Sequence, residues 1–295
     1  MQLGKLGVWA SLDTMTAGEA QAFAQSLERR GYQTLWMPES RGRNVLVTAS
    51  WLLAGTTRLN IASGIANIYA RDAMAAANAH RGLNEQSGGR FLLGLGVSHV
   101  PLVAGVRGHA YGKPVATMRA YLEAMQAAPY QAPAPAATPK TVLAALGPQM
   151  LKLAAEMADG AHPYCVTPAH TALARKILGP GKMLCPEQMV LFETDPAKAR
   201  AIGRANLANY TALDNYANNW RRLGYSDADM AAGGTDAFVD ANIAWGDEAR
   251  IRKHIQAHWD AGADHVCIQP LHPDGSRKPD ERILDALAPA RTGAG

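Results

Sequence analysis

The stretch RFLLGLGVSH at residues 90–99 decides the fold. Phe91, Leu92 and Leu93 follow the pair Gly88 and Gly89, form a run too short for a helix, and lack polar alternation. That is the pattern of a strand covered on both faces, as in a parallel sheet. Gly94 and Gly96 then remove side chains where a bulky ligand or another backbone comes close. The run ends in small and polar residues able to face a ligand. A dinucleotide-binding turn requires a third glycine at position 99 opening a helix. His99 stands there and Pro101 follows, so the stretch is not read as a Rossmann turn.

Moving outward, one unit recurs: an amphipathic helix, a glycine stop, then a short apolar strand. Ala20, Phe23, Ala24 and Leu27 form a helical stripe, Gly31 stops it, and TLWM at 34–37 is the strand. A helix from Asp72 stops at Gly88 and Gly89 before the strand at 91–95. Met150, Leu153, Ala154 and Met157 line a helix closed by Gly160, ahead of a strand at 162–166. Ile251, Ile255 and Trp259 define the last helix, with Gly262 before a strand at 265–269. Strands at 3–9, 59–67, 141–146 and 189–193 bring the expected total to eight. Strands alternating with helices imply a parallel sheet, and eight such units close into an α/β TIM (β/α)8 barrel. A doubly wound open sheet is the alternative, but it calls for fewer strands and a nucleotide turn.

Two segments break the rhythm. The proline-rich stretch PYQAPAPAATP at 129–139 is expected as a surface loop, because each proline removes a donor and disfavours helix before it. Residues 196–245 are far longer than one crossover and are expected as a helical insertion after strand seven, covering the barrel mouth. The whole chain, 1–295, is expected as one domain.

A length of 295 residues with 48% hydrophobic content is ample for a large core. The net charge of +4 is spread along the chain rather than gathered in basic blocks, and aromatic content is only 6%, which argues against nucleic-acid binding. Without an 18-residue apolar run or a leader-like start, a soluble cytoplasmic protein with no membrane partner is expected. Cys165, Cys185 and Cys267 are far apart and form no CxxC pair, so they are expected as structural thiols. HIQAH at 254–258 lacks the glutamate of HExxH, and no metal site is expected.

Active sites of such barrels lie at the C-terminal ends of the strands. The residues there include Glu39 and Ser40, a stretch from Gly64 to Tyr69, Gly96 to His99, Gly147 to Gln149, Pro163 and Tyr164, and Gln269 to His272. Glycines and backbone donors outnumber acids and bases, which favours a large planar or phosphorylated cofactor over direct hydrolysis. Among the side chains, His99 is the expected proton-transfer residue, since imidazole titrates near neutrality. Glu39 is the second candidate catalytic residue, expected as a partner to a cofactor ring or its hydroxyl, with a solvated or salt-bridged carboxylate as the alternative.

LWMPES at 35–40, IASGIANIYARD at 61–72, RFLLGLGVSH at 90–99, LGPQMLKLAAEMADGAHPY at 146–164 and AGADHVCIQPL at 261–271 together resemble the luciferase-like flavin and deazaflavin oxidoreductase superfamily, over nearly the full chain. The resemblance implies a TIM barrel holding coenzyme F420, with FMN as the alternative. The chemistry it implies is hydride transfer to or from a small organic molecule, or monooxygenation with FMN. A barrel that binds the cofactor without catalysis is a further alternative. In F420-using relatives a bulge after the third strand carries a non-prolyl cis peptide, and the match falls on Gly64 and Ile65, with Asn67 beyond. By the same resemblance, Gly96, Val97 and Ser98 approach the cofactor's ribityl chain. Gly147, Pro148 and Gln149 open a helix that takes its phosphate, and His162, Pro163 and Tyr164 lie on the same face. The resemblance also implies a homodimer. The sugar-phosphate dehydrogenase branch carries a histidine and a glutamate where this chain has Ser40 and His99, which argues against sugar-phosphate oxidation.

Overall fold

The computed structural model describes residues 1–289. Short, wholly buried segments such as TLWM and FLLGLG are strands because their side chains have apolar partners on both faces. All strand pairings are parallel: β1 (Leu6–Trp9), β2 (Thr34–Met37), β3 (Asn60–Ser63), β4 (Ala66–Asn67), β5 (Phe91–Gly96), β6 (Lys140–Leu143), β7 (Gly160–Ala161), β8 (Met183–Leu184), β9 (Glu187–Leu191), β10 (Ile243–Trp245) and β11 (Val266–Pro270). Around them run α1 (Ala17–Arg30), α2 (Val45–Ala54), α3 (Ala73–Ser87), α4 (Pro114–Ala127), α5 (Pro148–Met157) and α6 (Pro168–Leu178). The insertion contributes α7 (Pro196–Thr211), α8 (Asp214–Arg222), α9 (Asp227–Met230) and α10 (Asp236–Asn242), and α11 (Glu248–Asp260) and α12 (Glu281–Ala286) complete the set.

Local chemistry sets the helix ends. Thr16 and Glu19 form a reciprocal cap at the start of α1, and Gly31 ends it at φ 89°, a left-handed conformation that costs glycine nothing. Asp72 caps α3 through Ala75 N at 2.8 Å, the helix-starting role its sequence position suggests.

The sheet closes through one broken strand. β8 pairs with β7 and β9 pairs with β11. Between them Cys185 N donates to Ala161 O at 2.9 Å, Glu187 N to Pro163 O at 2.9 Å, and Cys267 N to Pro186 O at 3.0 Å. Residues 183–191 therefore bond β7 on one side and β11 on the other. The break falls at Pro186, which has no N–H to offer. The eight expected strands correspond to β1, β2, β3, β5, β6, β7, the β8–β9 pair and β11. Alternate residues point inward, and Trp9, Trp36, Ala62, Leu92, Val142, Cys185 and Cys267 fill the barrel. Phe91, wholly buried in the outer layer, is held tightly enough that truncation to alanine is worth about 3–5 kcal/mol.

Several boundaries differ from expectation. The third strand is not continuous over 59–67 but splits into β3 and β4 around residues 64 and 65. The sixth starts earlier, at Gly160, where pairing with Val142 begins, and leaves the ladder at Pro163. The seventh likewise lies earlier, at 183–191 with its break at Pro186. The insertion follows the seventh strand as expected, but its last residues are not helical. They form β10, which pairs with β9 through Ile243 to Met189 and Trp245 to Leu191.

Candidate active site

The site is built on the bulge between β3 and β4, where the Gly64–Ile65 peptide is cis. Trp9 Nε1 donates to Gly64 O at 2.9 Å. A Cβ on residue 64 would lie 2.8 Å from His162 Nε2, so imidazole and indole both press on this glycine. On β5, a Cβ at residue 94 would lie 2.1 Å from Ser63 O, and one at residue 96 would lie 2.5 Å from Ile65 Cδ1. The two glycines of the opening stretch thus admit the bulge itself: backbone at Gly94 and the Ile65 side chain at Gly96.

His162 is wholly enclosed and stacks on Trp36 with ring centroids 4.2 Å apart. Its Nδ1 lies 2.7 Å from Cys185 O, and a carbonyl only accepts, so Nδ1 carries the proton. Burial holds the ring's pKa down at about 4, leaving it neutral with a bare acceptor at Nε2. Among the described residues nothing bonds that atom.

Glu39 follows β2 with its side chain only 4% exposed. One oxygen accepts from Asn67 N at 2.9 Å, and the other from Val45 N at 3.3 Å and from the Arg71 guanidinium. Its own N–H donates to Ile65 O at 3.2 Å. The carboxylate expected to meet a cofactor ring is turned onto protein donors, with the Arg71 guanidinium as its counterion. The free polar group here belongs to Asn67. Its Oδ1 accepts from Tyr69 N at 2.9 Å, while its wholly buried Nδ2 has no partner among the described residues.

Gly96, the last residue of β5, is buried, and Val97, Ser98 and His99 beyond it are half-buried. Ser98 takes φ 56°, a conformation L side chains rarely adopt, and its carbonyl accepts from Tyr111 OH at 3.1 Å. His99 packs on Tyr216 with centroids 5.8 Å apart. Burial lowers its pKa against the opposing hydrogen bond with Asn215, so the ring is neutral at pH 7. It joins β5 to α8 of the insertion.

Beyond β7, Tyr164 packs on Trp9 and reaches two oxygens at 2.7 Å, Tyr210 OH and Gln269 Oε1. An amide oxygen only accepts, so Tyr164 donates to Gln269 and accepts from Tyr210. Tyr216 closes the cluster, 5.1 Å from Tyr210 and 6.4 Å from Tyr164 between ring centroids. Burial pushes all three phenols above their ordinary pKa. Beneath them Glu187 is fully buried, with Oε2 accepting from Cys165 N at 2.9 Å and Oε1 without a partner among the described residues. Desolvation raises its pKa to about 8, so it is a neutral acid at pH 7.

At the rim, Gly147 precedes α5 with no side chain capping the helix, and Pro148 and Gln149 open its first turn. The Arg222 guanidinium lies 3.4 Å from where a Cβ on residue 147 would stand. A cation beside a helix N-terminus that no side chain caps is an arrangement that favours negative charge.

Thus Gly64, Ile65, Asn67, Gly96, His162 and Tyr164 gather around the bulge, His99 forms the wall toward the insertion, and Gly147 to Gln149 lie at the rim. Sequence reasoning missed Glu187, Tyr210, Tyr216 and Arg222. Only Glu187 carried a signal, a lone carboxylate entering the apolar strand QMVLF. Among the described residues no group of three or more His, Cys, Asp or Glu could hold a metal ion, and no helix is long and apolar enough to cross a membrane.

This barrel, with its insertion and its backbone-lined mouth, defines a class. Residues 2–181 match the model of the luciferase-like monooxygenase family, and the chain belongs to that family. It is 26% identical, over 91% of this chain and 94% of the relative, to a Mycobacterium tuberculosis protein whose assigned name is that of a coenzyme F420-dependent oxidoreductase. Among solved structures it is similar to an F420-dependent secondary alcohol dehydrogenase in complex with an F420-acetone adduct, at TM-score 0.73 and 15% identity over 98% of both chains. It is also similar to the oxygenating constituent of 3,6-diketocamphane monooxygenase from Pseudomonas putida in complex with FMN, at TM-score 0.67 and 13% identity over 96% of both chains.

Proposed function

We propose that this enzyme is a coenzyme F420-dependent oxidoreductase that exchanges a hydride with a small, uncharged organic molecule. The observation that carries the reading is the pair of enclosed, unpartnered polar atoms at the bulge, Asn67 Nδ2 and His162 Nε2. Buried polar groups are nearly always bonded, so a donor and an acceptor left open at a barrel mouth call for a ligand with polar edges. The residues present fit a deazaflavin: the bulge at Gly64 and Ile65 backs the ring, Asn67 offers it a donor, and Gly147 to Gln149 with Arg222 suit its phosphate. Gly96, Val97 and Ser98 line the path between. When bound, the deazaflavin supplies or accepts the hydride at its C5 carbon.

The protein's own side chains do the rest. Glu39 fixes the bulge and does not meet the reacting atoms. His99, neutral and tied to Asn215, is assigned to enclosing the substrate. With Glu187 and the phenols neutral as well, and the Glu39 carboxylate already paired with Arg71, a charged substrate would find no free buried counterion among the described residues there. The relative from M. tuberculosis supports this cofactor.

Titration of the protein with F420 and with FMN tests the proposal. Saturable F420 binding with negligible FMN binding is expected. The reverse result would promote the FMN reading, which the P. putida structure favours.

Exposed Val47 and Trp51 on α2, with Met74 on α3, give the outer surface an apolar patch that suits a homodimer. Sedimentation of wild type and Trp51→Glu tests it. Three buried free thiols suit a reducing compartment such as the cytoplasm.

A further inference from the structure

Asn219 on α8 is an enclosed amide with both of its polar atoms open. It is 1% exposed, and neither Oδ1 nor Nδ2 has a partner among the described residues. Asn242, the other buried asparagine of the insertion, shows the ordinary case: its Oδ1 accepts from Trp220 Nε1 and its Nδ2 donates to Phe238 O, both at 2.9 Å. Burying an amide without partners costs free energy that an apolar side chain of the same size does not. Packing alone therefore gives no reason for an asparagine at 219.

The helix places the amide. Asn215, Asn219 and Arg222 stand at i, i+4 and i+7, so they share one face of α8. Asn215 bonds His99 beyond β5, and the Arg222 guanidinium lies beside Gly147 beyond β6. Since β5 and β6 are paired neighbours, α8 spans the mouth ends of both. Between the two anchors, Asn219 stands about 6 Å along the axis from Asn215 and about 4.5 Å from Arg222. Asn215 and Arg222 are exposed, so this face opens to the mouth on either side of the amide. Tyr216, packed on His99 and Tyr164, fixes the rotation of the helix.

We propose that Asn219 is a ligand-binding residue that the insertion contributes to the site, and that it bonds hydroxyl groups on the chain joining the planar ring to the anionic end. This rests on the reading of the mouth as a deazaflavin site. An amide offers a donor and an acceptor side by side, and a hydroxyl is a group that answers both. A phosphate or carboxylate would use Nδ2 alone, and an alkyl chain would use neither atom. The ring has its own open partners at the bulge, Asn67 Nδ2 and His162 Nε2, and the anion has Arg222. The hydroxylated segment between them is what the amide is left to meet.

Asn219→Leu separates ligand binding from a structural role, because leucine keeps the volume and removes both polar atoms. Without ligand, its melting temperature should rise by more than that of Asn218→Leu, an exposed control for helix propensity on the same helix. Calorimetric titration then uses three probes: F420, a phosphate-free deazaflavin with the same hydroxylated chain, and the same ring carrying a butyl chain. Affinity should fall about tenfold for the first two and stay unchanged for the third. Where leucine prevents folding, Asn219→Ala is titrated in its place with the same expected pattern. A lower melting temperature in Asn219→Leu than in wild type would mean that the amide is already satisfied in the free protein, and overturns the proposal. So does unchanged affinity for F420, a loss confined to F420, which belongs to the anionic end, or an equal loss for the butyl compound, which belongs to the ring. A wild type that does not bind F420 overturns the functional reading and this proposal together.

Discussion

Asn67 donates its backbone N–H to the Glu39 carboxylate at 2.9 Å, joining the bulge of the third strand to the end of the second across 28 positions of sequence. The contact turns the one acid at that strand end into a scaffold element, with Arg71 as its counterion. Glu39→Ala would leave Arg71, 10% exposed at its side chain, without its partner. Removing one member of a buried pair costs about 3–5 kcal/mol. Urea unfolding should show that loss, and Arg71→Ala combined with Glu39→Ala should recover part of it. A loss under ~1 kcal/mol would contradict the clamp.

Asn67 itself offers a cleaner probe of the ligand. Asn67→Ser keeps a short acceptor for Tyr69 N but removes the unpartnered Nδ2. The melting temperature should stay within a few degrees, while F420 affinity weakens about tenfold, the ~1.4 kcal/mol of one good hydrogen bond. Unchanged affinity would mean that this donor faces no ligand.

Arg222 is expected to act on the anionic end of the cofactor. It is largely exposed, so Arg222→Gln should leave stability unchanged. Affinity should drop about five- to tenfold at low salt, and the difference should shrink as ionic strength rises. A variant with the salt dependence of wild type would separate Arg222 from the anion.

His99 tests the wall toward the insertion. His99→Ala should raise KM severalfold by removing the contacts with Asn215 and Tyr216, and leave kcat at pH 7 within about twofold. A large loss of kcat with KM unchanged would return the proton-transfer role to the imidazole.

Acid should unfold the protein through its histidines. Burial lowers His80, His162, His254 and His265 to about 4 and His258 to about 3. In the unfolded chain each binds a proton near pH 6.5, so below that value the unfolded state takes up more protons and stability falls. The contribution is intact above pH ~6.5 and lost progressively toward pH 4. His258 bonds both Thr171 and Gln188, so His258→Gln should lower stability at pH 7 and flatten the acid decline. Urea midpoints measured between pH 7 and 4.5 would check both.

The barrel was legible in the sequence because its grammar is local: a stripe such as Ala20, Phe23, Ala24 and Leu27, a stop at Gly31, then TLWM. Boundaries slipped where pairing overrode pattern, as at Pro186, which divides the seventh strand. Within the site, the family motifs reached Gly64, Ile65 and His162, which lie on strand ends. They failed to reveal that Glu39 is saturated, because Val45, Asn67 and Arg71 meet it only after folding. Tyr210 and Tyr216 were invisible for a related reason: nothing in an isolated polar helix shows that it will lie over Tyr164.

The insertion leaves the barrel after Leu191, and Trp245, on its return, pairs with that same residue. Departure and re-entry therefore coincide at a single rung of the ring. The segment between them can lengthen, shorten or be exchanged without asking any other strand to move. Change within the inserted helices is thereby uncoupled from preservation of the barrel that carries them.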